Sequence, residues 1–155
     1  FYALFPYFRF IRFKEIRGMS KDEYAETLRE SAFFAHFDEY SSWGTAPIEA
    51  FLSKTLVAGW DGVGGREYMN TDNMWIVPNG DIIRLAMAIG NMIETYLMDD
   101  VEEKRYDAMI GATLMYTREA ERDSVIRAHN EWREERIDHL NKMVEALQKM
   151  ESEEK

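Results

Sequence analysis

The sequence of 155 residues has no cysteine and only three prolines and nine glycines. The absence of cysteine excludes disulfide bonds, thiolate metal sites and cysteine nucleophiles. No segment is expected to span a bilayer by itself, because the longest apolar stretch, residues 82–98, is short and interrupted by charged residues. Basic residues are outnumbered by acidic ones, with 19 Lys and Arg against 29 Asp and Glu. The net charge of −10 argues against a general nucleic-acid-binding protein, since binding phosphates requires a basic face.

Aromatic and basic residues are concentrated in the first 18 positions. This segment carries a net charge of +3, which leaves −13 for the other 137 residues. Neither a helical nor a strand period describes it. Aromatic side chains followed by Arg and Lys are typical of a membrane–water interface, and an arm packed into a groove of this domain or of a partner is the alternative. The residues expected to make this contact are Phe5, Phe8, Arg9, Phe10, Arg12, Phe13 and Lys14.

Two helices are predicted in the first half of the remaining chain. Ser20 and Glu23 have the spacing of a capping box, and the helix that they start is predicted to run to about Tyr40. A second helix is predicted to open near Pro47 and to run to about Val57. Apolar residues at helical spacing give each of these helices one buried side.

Residues 59–73 are glycine-rich and irregular. They resemble a phosphate-binding loop only in their glycines, since the Gly-Lys-Ser/Thr ending of a P-loop and the spacing of a dinucleotide fingerprint are both missing. Met74–Val77 is the one run that resembles a strand. Asp81 is expected to cap a core helix over residues 82–98, which is predicted to be buried nearly all round.

The last third of the chain, residues 99–155, contains no proline and one glycine, Gly111, and is rich in strong helix formers. This segment predicts one long helix. Its first half, to residue 116, is expected to pack on the body of the protein, and a polar neck at residues 117–124 separates it from a distal half. The distal half carries two apolar stripes about 100° apart, as expected of a helix that contacts two neighbours. The partner-binding residues are predicted to be Trp132, Ile137, Leu140, Val144 and Leu147.

The predicted fold is mainly α, with about four helices that end in a long helix able to kink and with at most one short strand. The predicted organisation is an aromatic–basic arm (residues 1–18), a helical body (19–116) and a protruding helix (117–155). A straight helix of about 55 residues would be about 80 Å long, whereas a compact globule of this chain length is about 40 Å across. The distal helix therefore either meets a partner chain or folds back as a hairpin.

The pattern of residues identifies no catalytic, cofactor-binding or metal-binding residue, so the chain is not predicted to be an enzyme. His129 and His139 lie about 15 Å apart on a continuous helix, too far to share a metal. Glu135 and His139 are one turn apart, but the sequence shows no second half of such a site.

The leading functional hypothesis is a non-catalytic structural or accessory subunit of a membrane-associated, multi-protein complex. Such a subunit would bind other protein subunits through the long helix and contact a membrane surface through residues 1–18. The start without Met, followed by aromatic and basic residues, suits a cleaved organellar protein, and energy-converting complexes of the mitochondrial inner membrane are the expected setting. The alternatives are an acidic binding or inhibitor module, viral or regulatory, that acts on a basic partner, and a small helical enzyme that uses loop 59–73.

Overall fold

A computed structural model describes residues 1–40, 42 and 44–153. The predicted chain break at residues 41–44 falls partly outside them. Five α-helices and three β-strands follow one another along the described chain, with single 3-10 turns at Pro6–Phe8 and Gly65–Glu67. The elements are α1 (Lys21–Glu30), β1 (Phe33–His36), α2 (Thr45–Leu52), β2 (Leu56–Trp60), β3 (Trp75–Val77), α3 (Ile82–Leu97), α4 (Glu103–Leu114) and α5 (Arg118–Glu153).

The three strands form one parallel sheet in the order β1-β2-β3. Phe33 pairs with Leu56, and Ala58 pairs with Trp75. The fold is therefore mixed α/β, and the prediction of a mainly α fold with at most one short strand is wrong. Parallel strands are buried on both faces and appear in a sequence as short continuous apolar runs, which periodicity cannot distinguish from buried helix.

The first helix ends ten residues earlier than predicted, and its expected second half contains β1. The Ser20–Glu23 capping box is confirmed, since each of the two residues hydrogen-bonds to the main chain of the other. At the far end, Ser31 is already extended, and its hydroxyl donates to the carbonyl of Thr27 (2.6 Å). The buried Thr55 hydroxyl then donates to the carbonyl of Leu28 (3.0 Å), which ties the end of α1 to the start of β2.

The core is built on β2, which is buried at all five positions and is contacted by both α2 and α3. Gly59 is required in this strand because a methyl group there would lie 2.7 Å from the carbonyl carbon of His36 and 2.9 Å from its Cβ. Leu56 and Val57 are almost completely buried, although the sequence pattern assigns them to the end of a helix.

The predicted strand over Met74–Val77 and the Asp81 cap are confirmed. β3 covers Trp75–Val77, and the Asp81 carboxylate accepts the backbone N–H of Arg84 (2.9 Å). The helix that follows is buried on one side only, through Leu85, Ile89, Met92 and Ile93, and Ile82 is exposed. The expected burial nearly all round α3 is therefore wrong.

The chain forms two compact units, Phe1–Leu114 and Met115–Lys155. The long helix predicted from residue 99 is interrupted between Leu114, where α4 ends, and Arg118, where α5 begins. Gly111 lies inside α4 with open space around it. Among the described residues, no helix has both the length and the apolar character needed to cross a membrane.

Candidate functional site

The carboxyl ends of the three strands lie at one edge of the sheet, because the strands are parallel. His36 is the last residue of β1 and Trp60 is the last residue of β2. Asn79 follows the end of β3 by two residues. Three polar side chains from three separate segments are therefore brought to this edge, which we call the carboxyl edge.

The His36 imidazole is buried at the carboxyl edge without a partner for Nε2 among the described residues. Only 6% of the residue is exposed, and its ring stacks on Phe34 with the centroids 6.2 Å apart. Burial lowers the pKa of His36, and the nearby Asp38 carboxylate opposes this shift. The imidazole is therefore held neutral, with one ring nitrogen able to donate and the other able to accept.

Trp60 Nε1 and Asn79 Oδ1 are also buried and lack a hydrogen-bond partner within the described part of the chain. A fourth buried polar atom in the same state, the Tyr24 hydroxyl, belongs to α1 and not to a strand end or to the loop that follows one. Burial and the neighbouring Glu49 carboxylate raise the pKa of Tyr24. Buried polar groups are usually paired, so three such atoms without a partner in the described chain make the carboxyl edge the candidate site.

The two strand-end side chains face opposite sides of the sheet. His36 pairs in register with Gly59, and the side chain that follows in β2, Trp60, points to the other face because side chains alternate along a strand. A ligand that reaches both must therefore lie across the end of the sheet. It cannot lie on one face alone.

The loops that follow the strands meet at this edge. The Asn79 amide donates to the carbonyl of Gly62 (3.1 Å), which joins the loops after β2 and β3. Gly62 has a positive φ of 60°, a conformation that favours glycine. A methyl group at Gly80 would lie 4.0 Å from Glu39 Oε1, so the loop after β1 also approaches the loop after β3.

The start of α2 is held to the same edge by the loop after β2, because the Tyr68 hydroxyl donates to the carbonyl of Gly44. Gly44 is the residue before the helix and adopts a left-handed conformation, and no side chain among the described residues caps the helix start. The first N–H groups of a helix have no partner within the helix and attract anions. The carboxyl edge thus combines buried polar side chains, a glycine-rich loop and an uncapped helix start.

A cleft of about 590 Å³ lies apart from the carboxyl edge, near the start of β3 and the beginning of α4. Its cations already have partners within the protein. The Arg105 guanidinium lies 4.1 Å from the centre of the Trp75 ring and donates to the carbonyl of Thr71 (3.1 Å), and Lys104 pairs with Glu102. Among the described residues, this cleft therefore offers no cation without a partner.

The predicted N-terminal arm is partly packed on the unit and partly exposed. Phe8 is buried, and Phe5 lies against Gly90 of α3, where a methyl group would lie 2.5 Å from the ring. The Tyr7 hydroxyl donates to the Glu94 carboxylate (2.9 Å). The other predicted arm residues are exposed: Arg9, Phe10, Arg12, Phe13 and Lys14.

All the predicted partner-binding residues lie on α5, where every residue from 121 to 150 is exposed. Trp132 lies between His129 and Arg136, with ring centroids 6.3 Å apart on one side and the guanidinium carbon 5.4 Å from the ring on the other. The remaining four are between 47% and 58% exposed: Ile137, Leu140, Val144 and Leu147.

No protein-family model matches the chain, and the search of curated proteins finds no significant match. The site is therefore defined by its geometry alone. The sequence pattern missed His36 and Trp60 because it placed them in a helix and in a loop. The available signal was the order of residues at 56–65, a short apolar run that leads directly into a glycine-rich segment.

Proposed function

We propose that the unit Phe1–Leu114 binds a small molecule that carries a phosphate group, at the carboxyl edge of its parallel sheet. The observation that carries this proposal is the group of buried, unpartnered polar atoms at that edge: His36 Nε2, Trp60 Nε1 and Asn79 Oδ1. Ligands of open parallel α/β sheets bind outside the carboxyl ends of the strands. The position of these atoms therefore agrees with the general rule for the fold.

The preference for phosphate rests on the donors at this edge. Trp60 Nε1 can only donate a hydrogen bond. At the start of α2 the N–H groups of Thr45 and Ala46 are not capped by any described side chain, and Pro47 has no N–H. A helix start and a glycine-rich loop together favour an anionic group, because their N–H groups and the helix dipole are both positive toward the ligand. His36, whose pKa is lowered by burial, can donate a hydrogen bond but adds no positive charge at neutral pH.

The test measures binding of inorganic phosphate and of nucleoside mono- and diphosphates to the full chain by calorimetry. Trp60→Phe keeps the ring and removes the donor, and it is expected to weaken binding about tenfold, as for loss of one hydrogen bond to a charged group. Trp132→Phe, on α5, is the matched control and should bind as the wild type does. Absence of binding by the wild type, or equal affinity of Trp60→Phe, would refute the proposal.

A second candidate function is favoured by the exposed apolar residues of α5 and of the arm. We propose that the chain is an accessory subunit of a membrane-associated complex, with the mitochondrial inner membrane as the expected location. Trp132 and Leu140 are 55% and 50% exposed, and Phe10 is 62% exposed beside Arg9. Large apolar side chains that are grouped on one surface mark sites of protein or membrane contact.

This second proposal is tested with the purified chain at low salt and with liposomes that contain anionic lipid. Phe10→Ser with Phe13→Ser should abolish liposome binding, and Tyr40→Ser, another exposed aromatic, is the control. A chain that remains monomeric and does not bind the liposomes would contradict this function.

A further inference from the structure

An apolar cavity of about 250 Å³ lies between the N-terminal arm, β1 and the first half of α3. The arm lines it with Phe1 and Phe13, whose ring centroids are 5.2 Å apart in an edge-to-face contact. Ala35 lines it from β1, and Phe37 lines it from the position just after that strand. Every residue around the cavity is apolar, so the cavity suits a hydrocarbon group.

The cavity lies on the same side of the sheet as the Trp60 indole. Ala35 and Ala58 are paired in register and therefore face the same side, and Trp60 follows Ala58 by two residues. Phe37 comes directly after His36, the last residue of β1. The cavity thus reaches the carboxyl edge on the side where Trp60 Nε1 lacks a partner within the described chain.

The loop after β3 also connects the cavity to the carboxyl edge. Asn79, whose buried Oδ1 has no hydrogen-bond partner in the described part of the chain, precedes the cavity-lining Ile82 by three residues. The ends of β1 and β3 therefore each supply a polar side chain to the edge and an apolar side chain to the cavity. A ligand held by its phosphate at the edge can place the attached group in the cavity.

We propose that the ligand is a phosphate ester of a short apolar alcohol, with its phosphate at the carboxyl edge and its hydrocarbon group in this cavity. The inference rests on the phosphate-binding function proposed above and identifies the class of ligand. A nucleobase is disfavoured, because burial among apolar side chains would leave its polar edge unpaired. The cavity is smaller than the pockets of about 300–1,000 Å³ that bind drug-sized ligands, so a short chain or a single ring fits it.

The first experiment is calorimetry of the full chain with inorganic phosphate, butyl phosphate and hexyl phosphate. Affinity is expected to rise about two- to fourfold for each added methylene group, as for burial of apolar surface. Hexan-1-ol, which has the chain without the phosphate, should bind at least about tenfold more weakly than hexyl phosphate. Adenosine monophosphate should also bind more weakly than hexyl phosphate.

Two neighbouring isoleucines at the start of α3 provide a matched pair of variants. Ile82 lines the cavity and is 68% exposed, whereas Ile83 is 63% exposed and is not among the described residues around the cavity. Ile82→Ser should weaken binding of hexyl phosphate about fivefold and leave the affinity for inorganic phosphate unchanged, since it removes only apolar contact. Ile83→Ser should leave both affinities unchanged. Unchanged binding of inorganic phosphate also shows that each variant is folded.

The outcomes separate this inference from the function on which it rests. Equal affinity for inorganic phosphate, butyl phosphate and hexyl phosphate would overturn the inference and leave phosphate binding in place. Equal effects of Ile82→Ser and Ile83→Ser on hexyl phosphate would also overturn it. Failure to bind phosphate and both esters would refute the proposed function itself. Binding to vesicles that contain phosphatidic acid, without binding of hexyl phosphate, would assign the phosphate to a membrane lipid and overturn the inference.

Discussion

Replacing Gly59 by alanine tests the parallel sheet directly. Gly59 lies in the central strand, opposite His36 of β1. The added methyl group would lie 2.7 Å from the carbonyl carbon of His36 and 2.9 Å from its Cβ, distances shorter than any normal contact between carbon atoms. The methyl group would meet the backbone and the Cβ atom of His36, and these atoms cannot be moved away by rotating a side-chain bond. The strands must separate or shift.

The expected cost of Gly59→Ala follows from this rigidity. Overpacking a well-packed core costs about 1–3 kcal/mol, and a clash with backbone belongs at the upper end, about 3 kcal/mol. For a unit of this size, that corresponds to a fall in melting temperature of about 10 °C. The loss is a large fraction of the 5–15 kcal/mol by which a typical domain is stable.

Gly111→Ala is the matched control, since it makes the same chemical change in the same unit. Gly111 lies inside α4 with no atom near the position of the new methyl group. Alanine is favoured over glycine in a helix by about 1 kcal/mol, so this variant should be more stable than the wild type. Thermal unfolding followed by near-ultraviolet circular dichroism measures both variants. If Gly59→Ala melts within 2 °C of the wild type, the pairing of β1 with β2 is wrong.

Three further perturbations test separate parts of the unit. Thr55→Val removes the hydroxyl that bonds the end of α1 and should destabilise the unit by about 1–2 kcal/mol in urea unfolding. Ser20→Ala should cost about 1 kcal/mol through loss of the capping box, measured in the same way. Because the pKa of His36 is lowered by burial, stability should be complete above about pH 6.5 and should fall as the pH drops below it. His36→Gln should make this loss of stability at low pH smaller.

These outcomes have their own controls. Ser42→Ala changes an exposed serine outside the helices and should leave the unfolding curve unchanged. His129→Gln removes a histidine from α5 and should leave the acid dependence as it is in the wild type. An equal loss of stability in Ser42→Ala and Ser20→Ala would show that the capping box contributes nothing. A pH profile that is the same with and without His36 would contradict the burial of a neutral imidazole.

Local signals in the sequence predict several boundaries of the fold. Ser20 with Glu23, and Asp81 before its helix, are confirmed because caps depend on residues only three positions apart. β3 is confirmed because it is flanked by turn residues. β1 and β2 could not be predicted in the same way, because each is a short apolar run whose strand character comes from pairing with a distant segment.

The candidate site could not be predicted from the sequence for the same reason. His36 at the end of an assumed helix has no special meaning, and it acquires one only when the end of a parallel strand is known to lie beside two others. The sequence has glycines at 62, 64 and 65, but a glycine-rich loop indicates no ligand site unless a strand is recognised before it. The roles of the arm and of Leu140 stay predictions.

The division of the chain into two units has a consequence for how it folds and melts. β1 and β2 are joined across more than 20 residues, whereas α5 is one continuous helix whose residues 121–150 are all exposed. The sheet must therefore close long loops before it gains stability, while α5 forms within about a microsecond. α5 supplies 36 residues of helix, more than any other helix in the described chain, so the far-ultraviolet signal will follow its gradual fraying. Heating should give a sharp transition superimposed on a gradual one, and only the sharp transition reports the unfolding of the unit that contains the sheet.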